Sequence, residues 1–153
     1  MDQDHRIALV EKSFEQINKH ESDFVSEFYA KLFDTYPQIK PFFFNIDTSA
    51  QGAKLYASLA LLVQNLRQPD ALKQVLHPLG KKHIGYGATP ERYLMVEQVL
   101  IDSLKTLLGD DWTPQLHQAW ADTMERVIDI MLEGAGTSPP NRDPKTKPGE
   151  TPT

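Results

Sequence analysis

Residues 79–90, Leu-Gly-Lys-Lys-His-Ile-Gly-Tyr-Gly-Ala-Thr-Pro, combine a histidine with the punctuation that would hold it in place. His83 falls in the last turn of a predicted helix. Gly85 and Gly87 offer positions for a left-handed helix stop, and Thr89-Pro90 reads as an N-cap followed by proline at the first helical position. An imidazole projecting from a fixed backbone can coordinate a metal ion or a haem iron. An ordinary surface histidine near a helix end has the same local context, so the rest of the chain must discriminate between the two.

Composition removes several alternatives. At 153 residues the chain is one domain with room for a single core, and its hydrophobic fraction of 40% is ordinary for a globular protein. It has no cysteine, which excludes disulfides, thiolate metal sites and a cysteine nucleophile. A net charge of -5 argues against nucleic acid as a partner, because neutralising phosphates needs clustered Lys and Arg. Residues 1–20 are polar and charged throughout, without the apolar segment of a signal peptide, and no apolar run is long enough for a bilayer. The expectation is a soluble cytoplasmic domain with no membrane partner.

Helical periodicity supplies the elements that would position His83. Ile7, Val10, Phe14 and Ile17 define one buried face of a first helix, which Asp4 or a neighbour can cap. From about Ser22 a second helix carries two apolar rows: Phe24, Phe28 and Leu32, then Val25, Tyr29, Phe33 and Tyr36. Pro37 ends it, and Pro37 to Phe43 suits a tight helical turn before a polar loop at Asn45–Ser49. A third helix from about Ser49 to Leu66 places Leu55, Leu59, Leu62 and Leu66 along one side. Pro69-Asp70 opens a segment expected to break at His77-Pro78 and resume to His83. Pro90 to about Leu108 would bury Tyr93, Val96, Leu100, Leu104 and Leu107; Thr113-Pro114 starts a last helix with Leu116, Trp120, Met124, Val127 and Met131 on one face. Residues 137–153 hold five of the eleven prolines and almost nothing apolar, which predicts a disordered tail after a domain spanning 1–136. The predicted class is all-α, with about seven helices.

The order of these features resembles the bacterial single-domain globins and the haem domain of flavohaemoglobins, over roughly residues 3–134. Phe33-Asp34-Thr35-Tyr36-Pro37, with Phe43 six residues after the proline, is similar to the corner between the second and third helices of that family. The resemblance implies a globin fold, a three-over-three helical sandwich around a b-type haem. It places His83 at the proximal iron ligand and Phe43 at the ring packed on the haem. Tyr29, fourteen residues before Phe43, falls at the distal tyrosine, and Gln51, thirty-two before His83, at the distal glutamine. Leu55 matches the apolar distal neighbour and Leu79 the proximal floor; Val96 joins the cofactor-contacting set, and Lys54, more than Lys81 or Lys82, is a candidate partner for a propionate.

The implied function is reversible, high-affinity binding of O2, NO and CO. Tyr29 and Gln51 would donate to a ligand that gains negative charge, and carbon monoxide would benefit less. Oxygen storage or delivery follows from that, as does nitric oxide dioxygenation if a separate reductase supplies electrons. Each residue also has a plainer reading: Tyr29 and Phe43 as core, Gln51 as a solvated first-turn residue. A haem-based sensor and a haem-free globin-fold interaction module are the rival functions. Among the other histidines, His77 is the rival ligand, but Pro78 follows it and it lies six residues nearer Gln51; His5, His20 and His117 lack comparable surroundings.

One departure from the family stands out. Tyr93, ten residues after His83, matches a tyrosine in a proximal network that also uses a glutamate near the end of the last helix. The matching position here is Ala135; Glu133 lies two residues earlier, about 200° around a helix. The expected substitute partner for the imidazole is a backbone carbonyl around Leu79 or Gly80, giving a less anionic ligand and disfavouring peroxidase-like O–O cleavage.

Overall fold

Three helix starts are set by side chains that satisfy the first unpaired N–H groups. Asp2 accepts from His5 N at 2.7 Å, Thr89 from Arg92 N at 3.3 Å and Thr113 from Leu116 N at 3.1 Å. Pro90 and Pro114 occupy the first position after their threonine caps, as the two Thr-Pro pairs imply. The computed structural model describes residues 2–43, 47–85, 87–138 and 140. Among these it forms α1 (Gln3–Ile17), α2 (Glu21–Thr35), α3 (Thr48–Gln64), α4 (Pro69–Gly85), α5 (Pro90–Leu108) and α6 (Pro114–Ala135). Short 3-10 segments occupy Asn18–His20, Pro37–Phe43 and Gly109–Asp111, and no strand occurs among the described residues. Of the loop expected at Asn45–Ser49, Thr48 and Ser49 instead begin α3, while residues 45–46 and nearly all of the expected disordered tail lie outside the described residues.

The predicted faces are the buried ones. Ile7, Val10, Phe14 and Ile17 of α1, Phe24, Phe28 and Leu32 of α2, and Leu116, Trp120, Met124, Val127 and Met131 of α6 all lie in one hydrophobic core. At its centre Trp120 is fully buried and donates from Nε1 to Ser13 Oγ at 2.8 Å. Phe14 stacks on Tyr56, with ring centroids 5.2 Å apart, and meets Trp120 at 6.5 Å. Helix α6 packs on α4, α1 and α5, while α2 packs on α5 and α3. In α5 the expected face is broader than drawn from sequence: Met95, Val99, Ile101 and Ser103 are buried, whereas Tyr93, Val96 and Leu107 are only partly buried.

The break expected at His77-Pro78 does not occur. Pro78 sits inside a continuous α4, with its ring exposed. An interior proline costs a helix about 3 kcal/mol, and the packing of α4 along α6 outweighs it. Two glycines permit that approach. A Cβ on Gly80 would stand 1.9 Å from the Met131 carbonyl oxygen, and one on Gly134 would stand 2.6 Å from His77 Cα. Each is therefore needed for backbone-to-backbone contact rather than for a turn. Gly85 is helical, and the left-handed stop falls at Gly87, with φ +79°.

Candidate functional site

His83 occupies the last turn of α4, as the sequence implies, and its orientation is fixed by the backbone before it. Its Nδ1 lies 2.7 Å from the Leu79 carbonyl oxygen. A carbonyl can only accept, so Nδ1 carries the proton and the ring's lone pair is on Nε2. Burial lowers the imidazole's pKa below its ordinary value, and the hydrogen bond to Leu79 offsets part of that drop. The consequence is a neutral imidazole near pH 7, which is the form that ligates metals. After it, Ala88 N bonds to the His83 carbonyl at 3.0 Å and Gly87 N to the Ile84 carbonyl at 3.1 Å, which ends the helix.

Tyr93, in the first turn of α5, stacks on the imidazole with ring centroids 5.8 Å apart and planes 23° from parallel. Its hydroxyl is buried and has no hydrogen-bond partner among the described residues. Burial pushes its pKa up to about 12, so the phenol stays protonated. Glu133, two residues before the position where the family has its network glutamate, is engaged elsewhere: its Oε1 lies 3.2 Å from His77 Nε2. Ala135 closes α6, with Gly136 in the left-handed conformation after it. The substitution of a Leu79 carbonyl for a carboxylate partner, expected from Ala135, is thus what the geometry contains.

A second group of aromatic residues gathers on α2 and the turn that follows it. Tyr29 meets Phe43 edge to face at 5.8 Å and Phe33 at 5.9 Å, and Phe33 meets Phe43 at 5.4 Å. Tyr29 is buried, and desolvation pushes its pKa up to about 12, so it too remains an O–H donor. The N-terminal turn of α3 lies against this cluster. A Cβ on Gly52 would fall 2.3 Å from Val25 Cγ1 and 3.5 Å from Tyr29 Cε2, so the residue after Gln51 has to be a glycine for α3 to come this close. Gln51 is half-buried and its N–H bonds to the Asp47 carbonyl at 2.9 Å. No hydrogen bond joins Gln51 to Tyr29 among the described residues.

The remaining expected residues divide. Leu55, Leu79, Tyr93, Val96 and Phe43 are partly buried and pack against the core, so each retains surface at its margin. Lys54, Lys81 and Lys82 are exposed. The rival histidines have other occupations: His77 faces Glu133, His20 lies 3.8 Å from Asp23, and His117 meets Trp112 edge to face. Sequence reasoning missed Arg92, whose guanidinium lies 4.0 Å from the centre of the Phe42 ring. The Thr89-Pro90 signal marked its helix turn but not that contact, which is made across 50 residues of chain.

Among the described residues no three His, Asp or Glu side chains come together as a metal site. His83 would therefore be a single protein ligand among the described residues, and a metal held there would need a cofactor to supply others. No helix of the described residues is long and apolar enough to cross a membrane.

A globin family model matches residues 26–131, and the chain belongs to the globin family. It is 28% identical over 126 residues to a flavohemoprotein of Rhizobium meliloti, covering 80% of this chain and 31% of that one. A flavohemoprotein of Deinococcus radiodurans is 28% identical over 127 residues, covering 82% of this chain and 32% of its own length. Hemoglobin subunit alpha-D of Meleagris gallopavo is 27% identical over 133 residues, 82% of this chain and 92% of that subunit. The chain thus spans about a third of the length of the flavohemoproteins and most of the length of the hemoglobin subunit.

Proposed function

We propose that the protein binds one b-type haem through His83 Nε2 and reversibly binds diatomic gases, O2, NO and CO, on the side where Tyr29 and Gln51 lie. The observation that carries this reading is the 2.7 Å contact between His83 Nδ1 and the Leu79 carbonyl. It fixes the neutral tautomer whose lone pair is on Nε2, in a half-buried histidine that stacks on Tyr93. The residues present fit the group: a single imidazole, the partly buried apolar side chains of Phe43, Leu55, Leu79 and Val96 that the resemblance assigns to the lining, and no competing cluster of protein ligands among the described residues. When bound, haem supplies an iron that takes up diatomic ligands and changes oxidation state.

The chain's own residues then decide which ligand is favoured. Tyr29 keeps its proton at any physiological pH because burial holds its pKa near 12, so it can donate but not compete as a phenolate. Gln51 offers an amide N–H one position before Gly52, where an added Cβ would meet Val25 and Tyr29. One such donor in a dry site is worth about 1–3 kcal/mol to a ligand that develops negative charge. That favours slow oxygen release over carbon monoxide retention. On the opposite side, the Leu79 carbonyl polarises the imidazole less than a carboxylate would, which suits reversible binding better than O–O cleavage.

Likeness to flavohemoproteins supports a second, finer reading: nitric oxide detoxification in the cytoplasm. Conversion of NO and O2 to nitrate consumes one electron per turnover, which a separate reductase would supply.

Titration of the purified protein with ferric haem tests the main reading. The expected outcome is a Soret band that His83→Ala abolishes or shifts to a weak, non-imidazole form. Unchanged coordination in that variant would falsify the assignment of His83. For the second reading, sustained nitrate formation with a cellular reductase is the expected result; a single stoichiometric burst removes it.

A further inference from the structure

Arg92 touches both the turn after His83 and the residue before Phe43, and it has no acidic partner among the described residues. Thr89 caps its helix turn, and its guanidinium lies 4.0 Å from the centre of the Phe42 ring. One Nη donates to the carbonyl of Gly87. Phe42 also seats against Gly87 itself, where an added Cβ would fall 2.8 Å from Phe42 Cε1. Gly87, Phe42 and Arg92 therefore interlock. Gly87 belongs to the turn that follows His83, Phe42 precedes Phe43, and Arg92 precedes the tyrosine stacked on His83. The cation stands where the His83 segment and the Phe43 segment meet.

Two other arginines have carboxylate partners. Arg67 pairs with Glu11 at 2.8 Å and Arg6 with Asp122 at 3.4 Å. Arg92 is half-buried, yet no carboxylate pairs with it among the described residues. A guanidinium has five N–H donors in a fixed fork; its contact with Phe42 and its bond to the Gly87 carbonyl restrain the group and occupy one donor. What remains is a preorganised anion site whose matching partner is a carboxylate or phosphate. Lys54, the cation chosen from sequence, is exposed and has no comparable restraint.

We propose that Arg92 is the residue that binds a carboxylate of the haem, anchoring the cofactor's acidic edge where the turn after His83 meets Phe42. The proposal rests on the haem reading above. It assigns Arg92 a specificity role as well: the site would prefer a porphyrin bearing free acids over the same macrocycle with the acids esterified.

The test uses the full chain reconstituted with ferric protoporphyrin IX and, separately, with its dimethyl ester. The rate at which each leaves for an excess of an apo-globin acceptor is followed by absorbance. Removal of one charge-assisted contact by Arg92→Leu is expected to speed loss of the diacid about tenfold, and to leave loss of the ester as it is in the parent chain. Arg92→Lys should recover part of the difference. Phe42→Leu, which keeps the charge, should still retain the diacid longer than the ester. Equal acceleration for diacid and ester in Arg92→Leu, or none for either, overturns the proposal and leaves Arg92 as a clasp on Phe42. Should Arg92→Leu fail to fold, the parent chain decides alone: equal loss of diacid and ester overturns the proposal, and faster loss of the ester supports it. Failure of the underlying haem reading looks different, since the parent chain would then develop a Soret band with neither compound.

Discussion

The interior between α1, α3 and α6 and the region around Tyr29 and His83 use the same kinds of residue and finish them differently. In the first, every polar tip on a large ring ends on a protein partner. Trp120 Nε1 donates to Ser13 Oγ at 2.8 Å, Ser13 in turn to the Val10 carbonyl at 2.9 Å, and Tyr56 to Asn18 Oδ1 at 2.6 Å. Tyr36, at the edge of the α2–α5 contact, likewise donates to Gln98 Oε1 at 2.5 Å. In the second region the Tyr93 hydroxyl is buried with no acceptor among the described residues, and Tyr29 has no hydrogen bond there to Gln51. A buried donor left open costs about 1–3 kcal/mol. A fold tolerates that cost where the group serves something other than the fold, and the open Tyr93 hydroxyl is consistent with the haem site proposed above.

The sharpest way to break the contrast is to remove an anchor on the closed side. Trp120→Ala should cost about 3–5 kcal/mol, read as the shift in midpoint of chemical unfolding of the apo-protein. A loss under 1 kcal/mol would mean that the core does not depend on its fully buried ring.

On the open side the same measurement should register little, and ligand kinetics should register much. Tyr29→Phe is expected to speed oxygen dissociation from the reconstituted protein by about one to two decades, while the apo-protein unfolds nearly as before. An unchanged off-rate takes Tyr29 out of the site.

A matched pair of smaller changes sharpens the point. Tyr56→Phe leaves Asn18 without its donor and should cost about 0.5–1.5 kcal/mol. Tyr93→Phe removes an unpaired buried hydroxyl and should be neutral or slightly stabilising. If the two variants lose equal stability by thermal or urea unfolding, the distinction between closed and open tyrosines is wrong.

The smallest effect is a pH dependence. Burial depresses the folded-state pKa of His83 below the ordinary 6.5. In acid the unfolded chain therefore takes up a proton that the folded one resists, and stability falls as pH drops through about 6.5, rising again with pH above the folded value. Apo-protein unfolding compared at pH 7.5 and 5.5 should show a smaller acid loss in His83→Gln than in the parent. Equal losses in both would show that His83 is not desolvated in the folded chain.

Much of this was legible from residue order, and the parts that were not share a cause. The apolar rows of α1, α2 and α6 and the caps at Thr89 and Thr113 are local, period-3.6 or dipeptide features, so they survive reading one residue at a time. His83 and the Leu79 carbonyl are one turn apart, which made their contact foreseeable from helix geometry alone. Pro78 misled because its local penalty is real and the compensation is remote: Gly80 against Met131 and Gly134 against His77. Arg92 was passed over for a related reason. Its partner Phe42 is far away in sequence, and only the folded chain shows that no described carboxylate reaches it.

What the sequence determined by itself is the helical class, the position and tautomer-setting neighbour of the histidine, and the absence of a glutamate at position 135. These depend on spacing within a turn or two, where backbone geometry leaves few choices. What only the tertiary structure decided is which polar groups are left unsatisfied when the helices pack. Whether the Tyr93 hydroxyl finds an acceptor, whether Glu133 turns to His77, and whether a cation stands between the turn after His83 and Phe42 all depend on crossings between distant segments. Burial and hydrogen bonding are properties of those crossings, and no local pattern of residues encodes them.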